Sequence, residues 1–183
     1  MLKQHTQRVL QEFAESVIAK AKQNLQSQGK NVSNELMNSF KQDIKVSDNS
    51  IQLGISMAEH GFYQDEGVKG VKSGAKAPSS RFKFGAGNSG KGKIMDGVFR
   101  WVKSKRIQFK DRKAIGGKGR FLSYERTARL VARHVYDYGL KPSRFMTEAL
   151  ETEYKTLPDE LITAYGLDID DFLKYAFNEN KSK

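Results

Sequence analysis

Apolar residues at Val9, Leu10, Phe13, Val17, Ile18, Ala21 and Leu25 recur at intervals of three and four, which predicts an amphipathic helix over about residues 5–27. Gly29 stands where that helix should stop. Ser33 caps a second, shorter predicted helix with Leu36, Met37 and Phe40 on its inner side. The period then drops to two. Ile44 and Val46, and then Ile51, Leu53, Ile55 and Met57, alternate with polar residues or glycine around Asp48-Asn49, the signature of a hairpin with a two-residue turn. Pairing Val46 with Ile51 and Ile44 with Leu53 places all four on one face.

Residues 58–67, AEHGFYQDEG, read as a short helix or turn ending at Gly67. A Gly/Lys/Ser stretch runs from Val68 to Lys93, broken by Arg81-Phe82-Lys83-Phe84, a candidate strand or hairpin arm. Helical spacing resumes from about Ile94 to Lys105 through Met95, Val98, Phe99 and Val102, with Trp101 beside them. A second basic loop, Lys110 to Arg120, leads to a predicted helix from Phe121 to Tyr138 with Leu122, Ala128, Val131, Val135 and Tyr138 as its buried stripe, stopped by Gly139 and Pro142. The next helix, 144–155, should turn Phe145, Ala149 and Leu150 inward, and Pro158 then opens another. Gly166 is expected to break it, with Asp168, Asp170 and Asp171 charging the start of a final helix through Phe177.

These elements make an α+β chain, a small antiparallel sheet flanked by several helices, with long basic Gly-rich loops and a helical C-terminal extension. The expected division is an α+β domain over 1–155, containing the basic region 68–120, followed by the extension 156–183. With 183 residues, eleven Phe and seven Tyr, the chain can bury a substantial core. It has no cysteine, which excludes disulfides and cysteine-ligated metal and fits a reducing compartment. No apolar run approaches a membrane span, and the start MLKQHTQRVLQEF is amphipathic, unlike a signal peptide, so Asn31-Val32-Ser33 is read as a coincidental sequon.

Charge changes the picture more than composition does. Between Val68 and Arg120 sixteen Lys and Arg face only Asp96 and Asp111, a net of +14, while the rest of the chain holds sixteen basic and nineteen acidic residues, a net of −3. One basic block between near-neutral flanks marks a contact surface for polyanions or acidic partners. The same block is rich in glycine, which is entropically costly to order and has no side chain to bury, so alone it is expected to be a loose arm ordered by docking. The residues expected to contact a partner or DNA are Lys69, Lys72, Lys76, Arg81, Phe82, Lys83, Phe84, Lys91, Lys93, Lys110, Arg112, Lys113, Lys118 and Arg120. Phe82, Phe84, Trp101, Phe109 and Phe121 interleave with these cations, the arrangement that stacks bases while neutralising phosphates, although exposed aromatics also anchor protein interfaces.

Catalytic signals are weak by contrast. Gly85-Ala86-Gly87-Asn88-Ser89-Gly90-Lys91-Gly92 has the glycine and lysine spacing of a phosphate loop, but Gly92 replaces the magnesium-binding Ser or Thr. SSRFKF precedes it in place of a buried apolar strand, and no apolar run ending in Asp follows to hold the metal. His5, His60 and His134 lie in separate elements without paired ligand spacing, and no nucleophile motif is present. No enzyme activity, cofactor or metal is expected.

Two stretches carry a resemblance. Phe62-Tyr63-Gln64-Asp65-Glu66-Gly67 after an alternating strand, and Gly139-Leu140-Lys141-Pro142-Ser143-Arg144-Phe145-Met146-Thr147-Glu148-Ala149-Leu150 after a long helix, resemble the neck proteins of tailed bacteriophages, in particular the head-tail joining or tail-completion proteins of lambda-like phages. Ile94 to Lys105 with Trp101 is similar to versions from phages of Bacteroides-type hosts. The order of elements over about residues 5–155 follows that family, while Gly67-Val68 in place of Gly-Thr, the long basic loops and the acidic tail depart from it. The resemblance implies a structural virion protein, assembled in the host cytoplasm as a ring of its own copies between portal and tail around the DNA channel. Its expected partners are itself, the portal or adjacent neck and tail rings, and packaged double-stranded DNA, with no membrane. A ring needs two different matching faces, which the basic block and the acidic Glu148–Asp171 region are expected to supply. The alternative is a non-catalytic nucleic-acid-binding protein using the region 68–120.

Overall fold

The computed structural model describes residues 3–29, 34–47, 50–85, 91–111 and 119–181. In chain order these form helix α1 (Gln4–Ser27), the single turn α2 (Glu35–Asn38), strands β1 (Lys41–Val46) and β2 (Ile51–Ser56), and helices α3 (Glu59–Glu66) and α4 (Lys91–Ser104). The short strands β3 (Lys110–Asp111) and β4 (Arg120–Phe121) follow, then helices α5 (Tyr124–Tyr138), α6 (Phe145–Glu153) and α7 (Leu157–Lys181). The α+β class is as expected, with two two-stranded antiparallel sheets, β1-β2 and β3-β4. The chain divides into a first unit of residues 1–31, 35–58 and 145–183, and a second of 32–34 and 59–144.

In the first unit the amphipathic stripe of α1 buries Ala14, Val17, Ala21 and Leu25, and Gly29 takes a left-handed φ of 62° at the end of the helix. These side chains meet Leu36 of α2 and Phe145, Met146 and Ala149 of α6, with Phe13, Phe40, Ile55 and Met57 packed around them. Phe145 is fully buried and receives the Phe40 ring edge-on at 6.3 Å. Leu150, expected inside, is instead exposed, because the register of α6 turns Met146 to the core in its place. The β1-β2 register pairs Val46 with Ile51 and Ile44 with Leu53. Ser47 N donates to Ser50 O at 2.8 Å, while Asp48 and Asn49 themselves lie outside the described residues, as does the Ser33 cap.

The acidic tail differs most from expectation. Gly166 does not break it: α7 is one helix of 25 residues, because its buried stripe of Leu157, Ala164 and Asp168 keeps helical phase through the glycine and packs on α1. Docking of that stripe outweighs a propensity cost of about 1 kcal/mol. Asp168 therefore does not open a final helix; it caps a different one. The N-cap position of α1, Lys3, makes no capping hydrogen bond of its own. His5 N and Thr6 N donate to Asp168 Oδ1 and Oδ2 at 2.9 and 3.0 Å, and Thr6 Oγ1 donates to Oδ2 at 2.6 Å. These are the second and third helical N–H groups, the pair that a local cap residue would take.

Burial pushes the Asp168 carboxyl up, but the hydrogen bonds from the Thr6 side chain, Thr6 N and His5 N, with the nearby His5 ring, outweigh burial and hold it below the usual carboxylate range. A depressed native pKa stabilises the fold above the unfolded value of about 3.9, and that contribution is lost as pH falls through the native value. Asp168→Ala is expected to cost about 2 kcal/mol in urea unfolding at pH 7, and the difference from wild type should shrink steadily as the titration is repeated below about pH 4. A cost that stays constant down to strongly acidic pH would show that the ionised carboxylate is not the source of this stability.

Candidate basic contact surface

An α-helix leaves its last carbonyls without intrahelical donors. At the end of α5 the only intrahelical closure beyond the helix is Gly139 N donating to Val135 O at 2.8 Å. The next two carbonyls are met by the basic loop itself: Val71 N donates to Tyr136 O at 3.0 Å, and Lys72 N to Asp137 O at 2.9 Å. Lys72 Nζ also reaches Asp137 Oδ2 at 2.8 Å, placing a cation at the negative end of the helix. Val68 and Leu140 exchange both backbone hydrogen bonds, and Ser80 Oγ donates to Gly67 O at 2.7 Å. Residues 68–84, expected to be loose, are thus fastened along the end of α5 because their own N–H groups complete that helix.

The crossing works only with glycine. Gly139 has φ 85° and ψ 173°, a region open essentially to glycine, and a Cβ there would fall on Val68 O. At Gly70 a Cβ would fall on Asp137 O and lie 2.5 Å from Gly139 N. The neighbouring atoms are backbone, which cannot swing away as the tip of a flexible side chain can.

Fastening the loop redistributes the expected contact residues. Phe82 packs edge-on against Tyr63 at 4.6 Å, the Arg81 guanidinium lies 4.8 Å from the centre of its ring, and Arg81 pairs with Glu66 at 3.0 Å. Phe84 lies 5.9 Å from Tyr136, so both aromatics assigned to the loop are engaged within the chain. Lys69 and Lys83 form an isolated parallel bridge in place of the expected strand or hairpin arm, with Lys69 N donating to Phe82 O and Phe84 N to Lys69 O, both at 2.9 Å. Lys76 approaches His134 Nε2 at 3.0 Å. Lys91 and Lys93 fall in the first turn of α4, which opens at Lys91, earlier than the spacing of apolar residues suggested. Their side chains, and all of Arg112, Lys113 and Lys118, lie outside the described residues. The phosphate-loop match therefore does open a helix. The segment before it carries exposed Lys83 and a single bridge, where such loops follow a buried strand; residues 86–90 are outside the described residues.

The exposed aromatics are elsewhere. Helix α5 starts at Tyr124 with Ser123 as its cap, its Oγ accepting from Arg126 N, because Phe121 is drawn into β4 opposite Lys110. Phe109 is 43% exposed and Phe121 56%, and Lys110 Nζ lies 5.2 Å above the Phe121 ring. Arg120 on β4 and Lys105 and Arg106 after α4 are exposed as well. Leu122 N donating to Phe109 O at 2.8 Å and Phe109 N donating to Thr127 Oγ1 at 3.3 Å, on a fully buried Thr127, tie this small hairpin to α5. The β3-β4 pair is a basic, aromatic edge on a fixed support. The sequence pattern of alternating Lys or Arg with Phe contained it but gave no means to separate it from Phe82 and Phe84.

Among the described residues no three His, Asp or Glu side chains are grouped to hold a metal ion, and no helix is long and apolar enough to cross a membrane. Gly70→Ala is expected to destabilise the protein by about 3 kcal/mol or more in denaturant unfolding, while Gly74→Ala, where the nearest atoms belong to the Lys69 side chain at 3.5 Å and beyond, should stay within about 1 kcal/mol of wild type. Equal effects of the two would disprove the close crossing. No protein-family profile, curated protein or solved structure matches the chain.

Proposed function

We propose that the chain is a non-catalytic structural protein of a tailed-phage neck, assembled as a ring that joins portal to tail around the DNA channel, and located in the virion. The observation that supports this reading is the meeting of the two stretches that resemble neck proteins. Ser143 N and Oγ donate to Gln64 O at 2.9 and 2.7 Å, Arg144 N donates to Asp65 O at 3.0 Å, and the Val68–Leu140 bridge continues the contact. Segments more than seventy residues apart thus form one structural element, which supports reading the two stretches together.

Charge agrees with an assembling protein. The second unit holds twenty-one Lys and Arg against seven Asp and Glu, a net of +14, and the first holds eleven against fourteen, a net of −3. Opposite signs on two units of one chain favour ordered head-to-tail contacts over random ones.

The β3-β4 edge supports a second reading, nucleic-acid binding, in which Lys110 and Arg120 meet phosphates while Phe109 and Phe121 stack on bases or pack on sugars. The two readings separate in one pair of measurements. Mixed with isolated portal and tail complexes, the purified chain is expected to join them as a ring visible by electron microscopy, and to bind free duplex weakly. A chain that ignores both complexes yet binds duplex with a log-log salt slope of about −5, as about six phosphate contacts require, would replace the connector reading with the second.

A further inference from the structure

Among the described residues helix α7 has a buried side and, apart from it, an open apolar stripe. Leu157, Ala164 and Asp168 are buried on α1. Ile162, Tyr165, Ile169 and Leu173 recur at three and four residues on a different side of the helix and all lie open, Ile162 at 72% exposure. Asp168 and Asp171 sit at the first turn of α1, bonded to His5 and Thr6, so about ten further residues of α7, some 15 Å, run past that turn. This overhang carries exposed Phe172, Leu173 and Phe177. A helical segment of that length is marginal on its own in water, and an apolar face of this extent marks a contact surface.

Charge selects the occupant. From Leu157 to Lys181 there are six acidic residues and two lysines, a net of −4. Asp159 and Asp170, eleven residues and three turns apart, edge the open stripe on one side. Two α7 helices laid antiparallel along this stripe would bring these carboxylates towards one another. The second unit presents the complement: on α5, Arg126, Leu130 and Arg133 form an outward row at i, i+4 and i+7, with Arg129 beside them and Leu130 49% exposed. Arg126 and Arg133 enter no ion pair among the described residues, whereas Arg129 is paired with Glu125.

We propose that α7 of one copy docks on the outward face of α5 of a second copy, with Leu130 entering the Ile162–Tyr165–Ile169 stripe and Arg126 and Arg133 facing Asp159 and Asp170. The contact joins two different surfaces, so it repeats from copy to copy and closes into a ring or extends as a filament. It deepens the connector reading by naming its subunit contact and rests on the self-assembly part of that reading.

Charge exchange decides the matter, with the full chain studied alone and on portal complexes by sedimentation. Arg126→Glu with Arg133→Glu is expected to weaken self-assembly at least about tenfold, as is Asp159→Lys with Asp170→Lys, and combining all four should restore it to within a few-fold of wild type. All four side chains are exposed, Asp159 at the border of the α1–α7 cleft and Asp170 paired with Lys174 at 2.6 Å, so unchanged circular dichroism and an unchanged urea midpoint are required of each variant. The chain has no cysteine, so Leu130→Cys with Ile169→Cys gives a second readout: disulfide-linked ladders on a non-reducing gel under mild oxidation, with each single variant remaining monomeric. Assembly indifferent to both charge reversals overturns the proposal. So does a dimer formed by Ile169→Cys alone, which would mean α7 against α7, or a double variant that closes only within one chain. Portal joining that survives the charge reversals would remove this contact and keep the connector reading; an assembly broken and rescued as described that never joins a portal would keep the contact and remove the connector.

Discussion

The second unit depends on how the C-terminal end of α5 is satisfied. Carbonyls at the end of a helix need donors, and here they are supplied by the backbone of residues 71 and 72 from a segment that sequence composition marks as an unstructured loop. The exchange of hydrogen bonds between Val68 and Leu140, and the close approach at Gly70 and Gly139, follow from bringing two backbones within hydrogen-bonding reach without side chains between them. Once this crossing is made, Ser143 and Arg144 are set against the end of α3, and Phe82 and Phe84 find Tyr63 and Tyr136. The glycines that raise the entropic cost of ordering this segment are the same residues that make its ordered state sterically possible.

A comparable long-range closure holds the first unit. Helix α1 begins without a side chain of its own to cap it, and Asp168, in the middle of α7, provides the carboxylate. Burying that charge is costly, and three hydrogen bonds plus the positive end of the α1 dipole offset the cost. The arrangement fixes the docking of α7 on α1 in both register and direction, because an apolar stripe alone would tolerate sliding by a turn while a capped carboxylate does not. The side of α7 turned away from α1 is then determined as well, and with it the exposed row of Ile162, Tyr165 and Ile169 beside Asp159 and Asp170.

Charge and surface chemistry divide along the same line as the two units. The basic excess recognised over residues 68–120 belongs to a larger body, 59–144, and the aromatics exposed beside its cations are Phe109 and Phe121 of the β3-β4 edge more than those of the first loop. Several cations of that loop are already committed, Lys72 to Asp137 and Arg81 to Glu66, so counting positive residues overstates what the loop offers a partner. What is offered is a smaller and better supported surface.

Elements with a strong local period are legible in side-chain order: α1 nearly to the residue, the β1-β2 register down to Val46 opposite Ile51, α3 ending at Gly67, and α5 ending at Gly139. In these, hydrophobic spacing and glycine stops act over a few residues and are written in side-chain identity. The sequence by itself also located the basic excess, since net charge needs no structure. Tertiary structure alone decided that Gly166 does not end α7, that Phe121 joins a strand and not a helix, and that residues 68–84 are fastened instead of loose. Gly166 is carried by the docking of α7's buried stripe on α1, and the other two share a different reason. Backbone donors and acceptors carry no residue identity, so nothing in the sequence states which segment will complete a given helix end. Asp168 shows the limit most clearly: its carboxylate was legible as a helix-start charge, but the helix that it starts lies more than 160 residues away.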